Sequence, residues 1–74
     1  MDINYDKTIG KKIREIRIAK KLTQEELSAK LQVNGCDLTR SALAKIEVGQ
    51  RHIYIDELKT IVKVLEIKYK ELIL

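Results

Sequence analysis

The sequence contains no proline, phenylalanine or tryptophan, and only one cysteine and one histidine. Without the large aromatic residues, the core has to be built from Ile, Leu and Val. A single thiol cannot close an intrachain disulfide, so a reducing interior such as the cytoplasm is the expected setting. Cys36 and His52 are too few to build a metal site, and no cofactor is expected. Cys36 reads as a small residue in a turn rather than as a redox sensor. No uninterrupted apolar run approaches the ~20 residues needed to span a bilayer, so no membrane partner is expected. The start, Met-Asp-Ile-Asn-Tyr-Asp, lacks the basic and apolar regions of a signal peptide.

The chain has 74 residues, 45% of them hydrophobic and 35% charged, with a net charge of +4. That composition belongs to a folded helical protein rather than a disordered one. A domain of this size buries only about 60% of its unfolded surface, so the core is modest. Residues 1–74 are expected to form one domain, with a core over about residues 9–72 and no room for an effector-binding or protease domain. The positive balance points to an anionic partner. Lys7, Lys11, Lys12, Arg14, Arg17, Lys20 and Lys21 crowd the first segment, where a solvated helix face is the plainer explanation for each.

Helical periodicity runs through the chain. Ile9, Ile13 and Ile16 form one stripe, predicting a first helix from Asp6 or Lys7 to Lys20, with Asp6 as its cap. Gly10 should be tolerated in the first turn, at about 1 kcal/mol against Ala. Thr23 and Glu26 have the spacing of a capping box and open a second helix, Gln24 to about Gln32, burying Leu27 and Leu31. Asn34-Gly35 signals a turn. Thr39 is the preferred cap of a third helix, Arg40 to about Val48, closed by Gly49 in the left-handed region. A fourth helix spans about Ile55 to Glu66, carrying Leu58, Ile61, Val62 and Leu65. A short one follows, about Tyr69 to Ile73.

Two stretches carry the functional signal. In Leu22-Thr23-Gln24-Glu25-Glu26-Leu27, Gln24 sits at the first helical position beside free N–H groups and the positive end of the helix dipole. That is a good place to hold a phosphate. In the third helix, Leu43 and Ile46 form the core face with Ala42 beside them, and Arg40, Ser41, Ala44 and Lys45 fall opposite. A helix fits the major groove, where Arg40 can pair bidentately with guanine, Lys45 can do similar work or neutralise a phosphate, Ser41 can donate or accept, and Ala44 can meet a thymine methyl. An ordinary charged surface is the competing explanation. Glu47 lies at the edge between the two faces, with Arg17 the best candidate partner. Arg51 and His52 are read as touching phosphate or solvent. No paired carboxylates and no nucleophile with a nearby base suggest an enzyme.

Taken in order, Ile13-Arg14-Glu15-Ile16-Arg17, Leu22 to Leu27, Lys30-Leu31, Leu43-Ala44-Lys45-Ile46-Glu47 and Gly49 resemble the Cro/lambda-repressor-like, or XRE-type, helix-turn-helix family. Leu58, Ile61 and Leu65 fit its fourth helix, and Leu65-Glu66-Ile67 with Leu72 its last. The resemblance implies an all-α, five-helix lambda-repressor-like domain with helices 2 and 3 as the helix-turn-helix. It implies base-facing roles for Arg40, Ser41, Ala44 and Lys45, and phosphate contact from Gln24 at the start of helix 2, where Thr23 is a further candidate for the same phosphate. It supports a partly buried Arg17–Glu47 ion pair.

Asn34-Gly35-Cys36-Asp37-Leu38 looks like five residues added to the usual tight turn. Either they bulge outward, or the third helix gains a turn from Asp37 that brings Leu38 toward the core. The family often has Gly where this chain has Glu66. The expected function is a sequence-specific regulator of transcription, a repressor that binds double-stranded DNA as a homodimer. Its dimer surface would use Tyr69, Leu72, Ile73 and Leu74; the competing explanation makes Leu72 part of the core and Ile73-Leu74 a frayed end. The alternative is an antitoxin-like module whose main partner is a protein.

Overall fold

The computed structural model describes the backbone of residues 3–73 and the side chains of residues 6–72. Among these residues there are five helices and no strand: α1 (Ile3–Ala19), α2 (Gln24–Val33), α3 (Arg40–Glu47), α4 (Ile55–Leu65) and α5 (Lys70–Ile73). Helix α1 packs against α3 and α5, and α2 packs against α3 and α4. The core they enclose is aliphatic. Ile9, Ile13, Leu27, Leu31, Leu43, Ile46, Ile61 and Leu65 are all essentially inaccessible.

Helix α1 starts at Ile3, a turn earlier than the periodicity suggests. Asp6 is therefore inside the helix and does not cap it; its carboxylate turns to His52 instead. The earlier start also changes the meaning of Gly10. It lies two turns into the helix, where α1 crosses α3. A Cβ there would run into the Ile46 carbonyl oxygen and stand 3.2 Å from the Glu47 carbonyl carbon. Gly10 is a close-approach position rather than a tolerated one.

The four longer helices end alike. Lys21, Gly35, Gly49 and Glu66 take the left-handed conformation, with φ of 60°, 83°, 78° and 57°. The N–H groups of Leu22, Cys36, Gln50 and Ile67 then donate back to the carbonyls of Arg17, Leu31, Lys45 and Val62 at 3.1, 2.9, 2.8 and 3.2 Å. This is the Schellman arrangement, which satisfies carbonyls that the helix itself leaves open. Two of the four positions are not glycine. Helix α4 ends at Leu65, one residue short of expectation, because Glu66 is already left-handed.

Leu72 is fully buried. It closes the core beneath α5 and is removed from the expected dimer surface. The side chains of Ile73 and Leu74, which were expected to join it, lie outside the described residues.

Candidate nucleic-acid interface

Helix α2 begins with both halves of the capping box. Thr23 Oγ1 accepts from the Glu26 N–H at 3.0 Å, and the Thr23 N–H donates to Glu26 Oε1 at 2.8 Å. The Thr23 backbone and hydroxyl together hold the Glu26 carboxyl below its ordinary range. This fixes the first turn of α2 and leaves Gln24 at its start.

Behind that turn lies a buried polar cluster. Arg17 Nε donates to Glu47 Oε2 at 2.8 Å, and Arg17 Nη2 donates to Glu47 Oε1 at 3.0 Å. Both residues are buried, Arg17 at 7% exposure and Glu47 at 4%. Glu47 is thus inside the protein and not at the margin of the outer face. Arg17 Nη1 donates to the Leu22 carbonyl at 2.8 Å. Gln24 Nε2 donates to Glu47 Oε1 at 3.0 Å. One carboxylate at the end of α3 therefore gathers a guanidinium from α1 and an amide from the first residue of α2. Hydrogen bonding to Glu47 outweighs the cost of burial and raises the Arg17 pKa further above its usual value. Arg17, Leu22, Thr23, Gln24, Glu25 and Arg40 line an open depression over this cluster.

Thr39 caps α3, its Oγ1 accepting from the Ala42 N–H at 3.1 Å. Leu43, Ile46 and Glu47 anchor the inner face. Arg40, Ser41 and Lys45 are exposed, and Ala44 and Ala42 are half-buried. Arg40, Ser41, Ala44 and Lys45 thus share the outward side of a helix fixed by its opposite face.

The stretch between α2 and α3 brings Leu38 into the core, as one of the two expectations had it, but by a different route. It neither bulges outward as a whole nor adds a turn to α3, which starts at Arg40. Cys36 and Leu38 turn inward and are buried, while Asn34, Gly35 and Asp37 stay outside. Ser28 Oγ donates to the Leu38 carbonyl at 2.7 Å, and Gln32 Nε2 donates to the same carbonyl at 3.3 Å. Two side chains of α2 thereby tie the longer connection down. Burial, with Glu57 adding to it, pushes the Cys36 thiol up, away from the thiolate that redox chemistry needs.

Arg51 and His52 are both engaged with acids. Arg51 Nη1 and Nη2 donate to Glu57 Oε1 and Oε2 at 3.0 and 3.1 Å. Glu57 Oε1 also accepts from the Tyr54 N–H at 3.0 Å, so one carboxylate binds the loop to the start of α4. His52 Nδ1 lies 3.1 Å from Asp6 Oδ1. The His52 ring meets Tyr54 edge-on at 5.1 Å.

The Gln24–Glu47 and Ser28–Leu38 bonds join residues 23 and 10 positions apart, and periodicity carries no signal for either.

Among the described residues, no helix is long and apolar enough to cross a membrane, and no group of acids, His and Cys could hold a metal. The model of the family described as "Helix-turn-helix" matches residues 13–72. The control protein C.BamHI of Bacillus amyloliquefaciens is 34% identical over 74 residues, which cover 99% of this chain and 85% of that protein. The crystal structure of the restriction-modification controller protein C.AhdI from Aeromonas hydrophila superposes with a TM-score of 0.82 at 30% identity. The match covers 95% of this chain and 94% of that one.

Proposed function

The chain belongs to the helix-turn-helix family and is a DNA-binding regulator of transcription, and from that premise we propose that it controls the genes of a restriction-modification system. The likeness to two proteins named as controllers supports this reading. The family is a class of regulators and not of enzymes, and we assign the chain no catalytic role. The antitoxin-like alternative draws no support from these relatives.

In the proposed complex α3 lies in the major groove. Arg40, Ser41, Ala44 and Lys45 meet base edges, as their placement opposite Leu43 and Ile46 allows. Thr23 and Gln24 hold a phosphate from the start of α2, where the dipole and free N–H groups favour an anion. Gln24 does so while one of its amide protons stays on Glu47. Arg51 and His52, whose side chains are 31% and 41% exposed, add phosphate contacts from their outer edges while their inner edges hold Glu57 and Asp6.

The protein acts as a homodimeric repressor in the cytoplasm. A single module of this size buries little DNA surface, and a pair reads two half-sites about 34 Å apart. The apolar surface that supports pairing lies at the start of α4. Tyr54 and Ile55 are more than half exposed there, at the edge of a depression that includes Ile9, Ile53 and Leu58.

The outward, anchored face of α3 carries this reading. A mobility-shift titration over a range of salt concentrations tests it. Groove binding gives a log–log slope near −0.9 for each phosphate neutralised. No shift on any duplex at low salt would overturn it.

A further inference from the structure

On a helical wheel, Lys7, Lys11, Arg14 and Ile18 fall within about 60° of one another, and Lys21 extends the row past the end of α1. The four cations are exposed, and none is in an ion pair among the described residues. Glu15, at the margin of the row, is in no ion pair among the described residues either. Cations three and four residues apart repel each other in the free protein, a repulsion that an anionic partner relieves.

The position of the row identifies that partner. Gly10 and Arg17, two α1 residues that meet α3, lie on the adjoining face of the helix. At one end, the Lys7 Cα stands 3.0 Å from where a Gly49 Cβ would be, so the row begins beside the C-terminal end of α3. At the other end, Lys21 precedes Thr23, the cap of α2, by two residues. The row thus runs from beside the C-terminal end of α3 to the start of α2, over about 20 Å. A duplex of that length offers a run of phosphates at ~3.4 Å of rise per strand.

We propose that Lys7, Lys11, Arg14 and Lys21 form a second phosphate-binding surface, which holds the backbone of the same duplex alongside the contacts made by α2 and α3. The proposal rests on the DNA-binding reading above.

The experiment compares salt dependence on a specific duplex chosen by the wild type from a random pool. The Lys11→Gln/Arg14→Gln variant should bind the same sequence with a log–log slope shallower by about 1.8, or about 0.9 for each contact removed. A charge-matched control, Lys63→Gln/Lys70→Gln, changes exposed lysines of α4 and α5 and should keep the wild-type slope. Thermal unfolding by circular dichroism verifies that both variants are folded. Either of two results would overturn the proposal: a wild-type slope for Lys11→Gln/Arg14→Gln, as expected if the row served an acidic protein, or equal slope changes in variant and control. Failure of the wild type itself to bind DNA would instead overturn the reading beneath it.

Discussion

Arg17 and Glu47 meet through two N–H···O bonds of 2.8 and 3.0 Å, one to each carboxylate oxygen, buried where α1, α2 and α3 converge. The pair spans 30 residues of sequence. It fixes the C-terminal end of α3 against α1, while Gln24 joins the same carboxylate to the start of α2. A buried pair is weak evidence for net stability, but breaking it strands a charge away from water. Arg17→Ala should therefore lower unfolding free energy by about 3–5 kcal/mol in urea titration, and Glu47→Ala by a similar amount. Replacing both, Arg17→Met with Glu47→Leu, should cost far less than the two single losses added. Additive losses would show that the residues act separately.

At Gly10, two accounts differ in sign. If the glycine were only tolerated in a helix, Gly10→Ala would stabilise the protein by about 1 kcal/mol through propensity. The crossing with α3 leaves no room beside the Ile46 carbonyl, so α1 and α3 must separate to admit a methyl group. The expected result is a loss of at least about 1–3 kcal/mol, read from the shift in denaturation midpoint. A gain would contradict the close approach.

Glu66 occupies a left-handed position, φ 57°, that glycine fills without penalty. Glu66→Gly should raise stability by about 0.5–1 kcal/mol, because relief of the left-handed strain exceeds the entropy glycine adds to the unfolded chain. Glu66→Ala keeps the strain and should give no such gain. Equal midpoints for the Gly and Ala variants would exclude this explanation.

Burial acts to raise the Glu57 pKa. The hydrogen bonds from Arg51 and the Tyr54 N–H, with the nearby positive charge, outweigh it and hold the carboxyl below its ordinary range. A folded-state pKa below the unfolded one means that the stabilisation is complete above the ordinary carboxylate pKa. It is lost as pH falls through that value toward the folded one. Glu57→Gln should consequently flatten the acid side of the stability–pH profile. An acid side as steep as the wild type's would place the proton uptake elsewhere.

The helices were legible in the sequence, as were the start signals of α2 and α3, because they depend on neighbours; the start of α1 was not, since Asp6 lies inside the helix and turns to His52. Thr23 and Glu26 needed only their spacing, and Thr39 only its place before a periodic run. The Arg17–Glu47 pair was legible from helix faces and from family resemblance. What stayed hidden depended on tertiary contact. Gly10 looked like a local weakness because its constraint comes from a carbonyl 36 residues away. Glu47 looked marginal because the wheel shows a face but not which helices cover it. Leu38 reaches the core as one alternative for the Asn34–Leu38 segment had it, but without the added turn of α3, because the conformation is set by Ser28 and Gln32, which tie down the Leu38 carbonyl. Arg51 and His52 showed their charge and not their acidic partners.

The central claim is that the outward face of α3 reads base sequence. Selection of bound sites from a random DNA pool, run in parallel with wild type and Arg40→Ala, tests it most directly. The wild type should enrich a symmetric motif of two half-sites. Arg40→Ala should lose about 1–3 kcal/mol on that motif and relax its preference at one base position in each half-site. If the wild type enriches no motif, or Arg40→Ala binds more weakly while preserving the motif at every position, Arg40 does not read sequence and the claim fails.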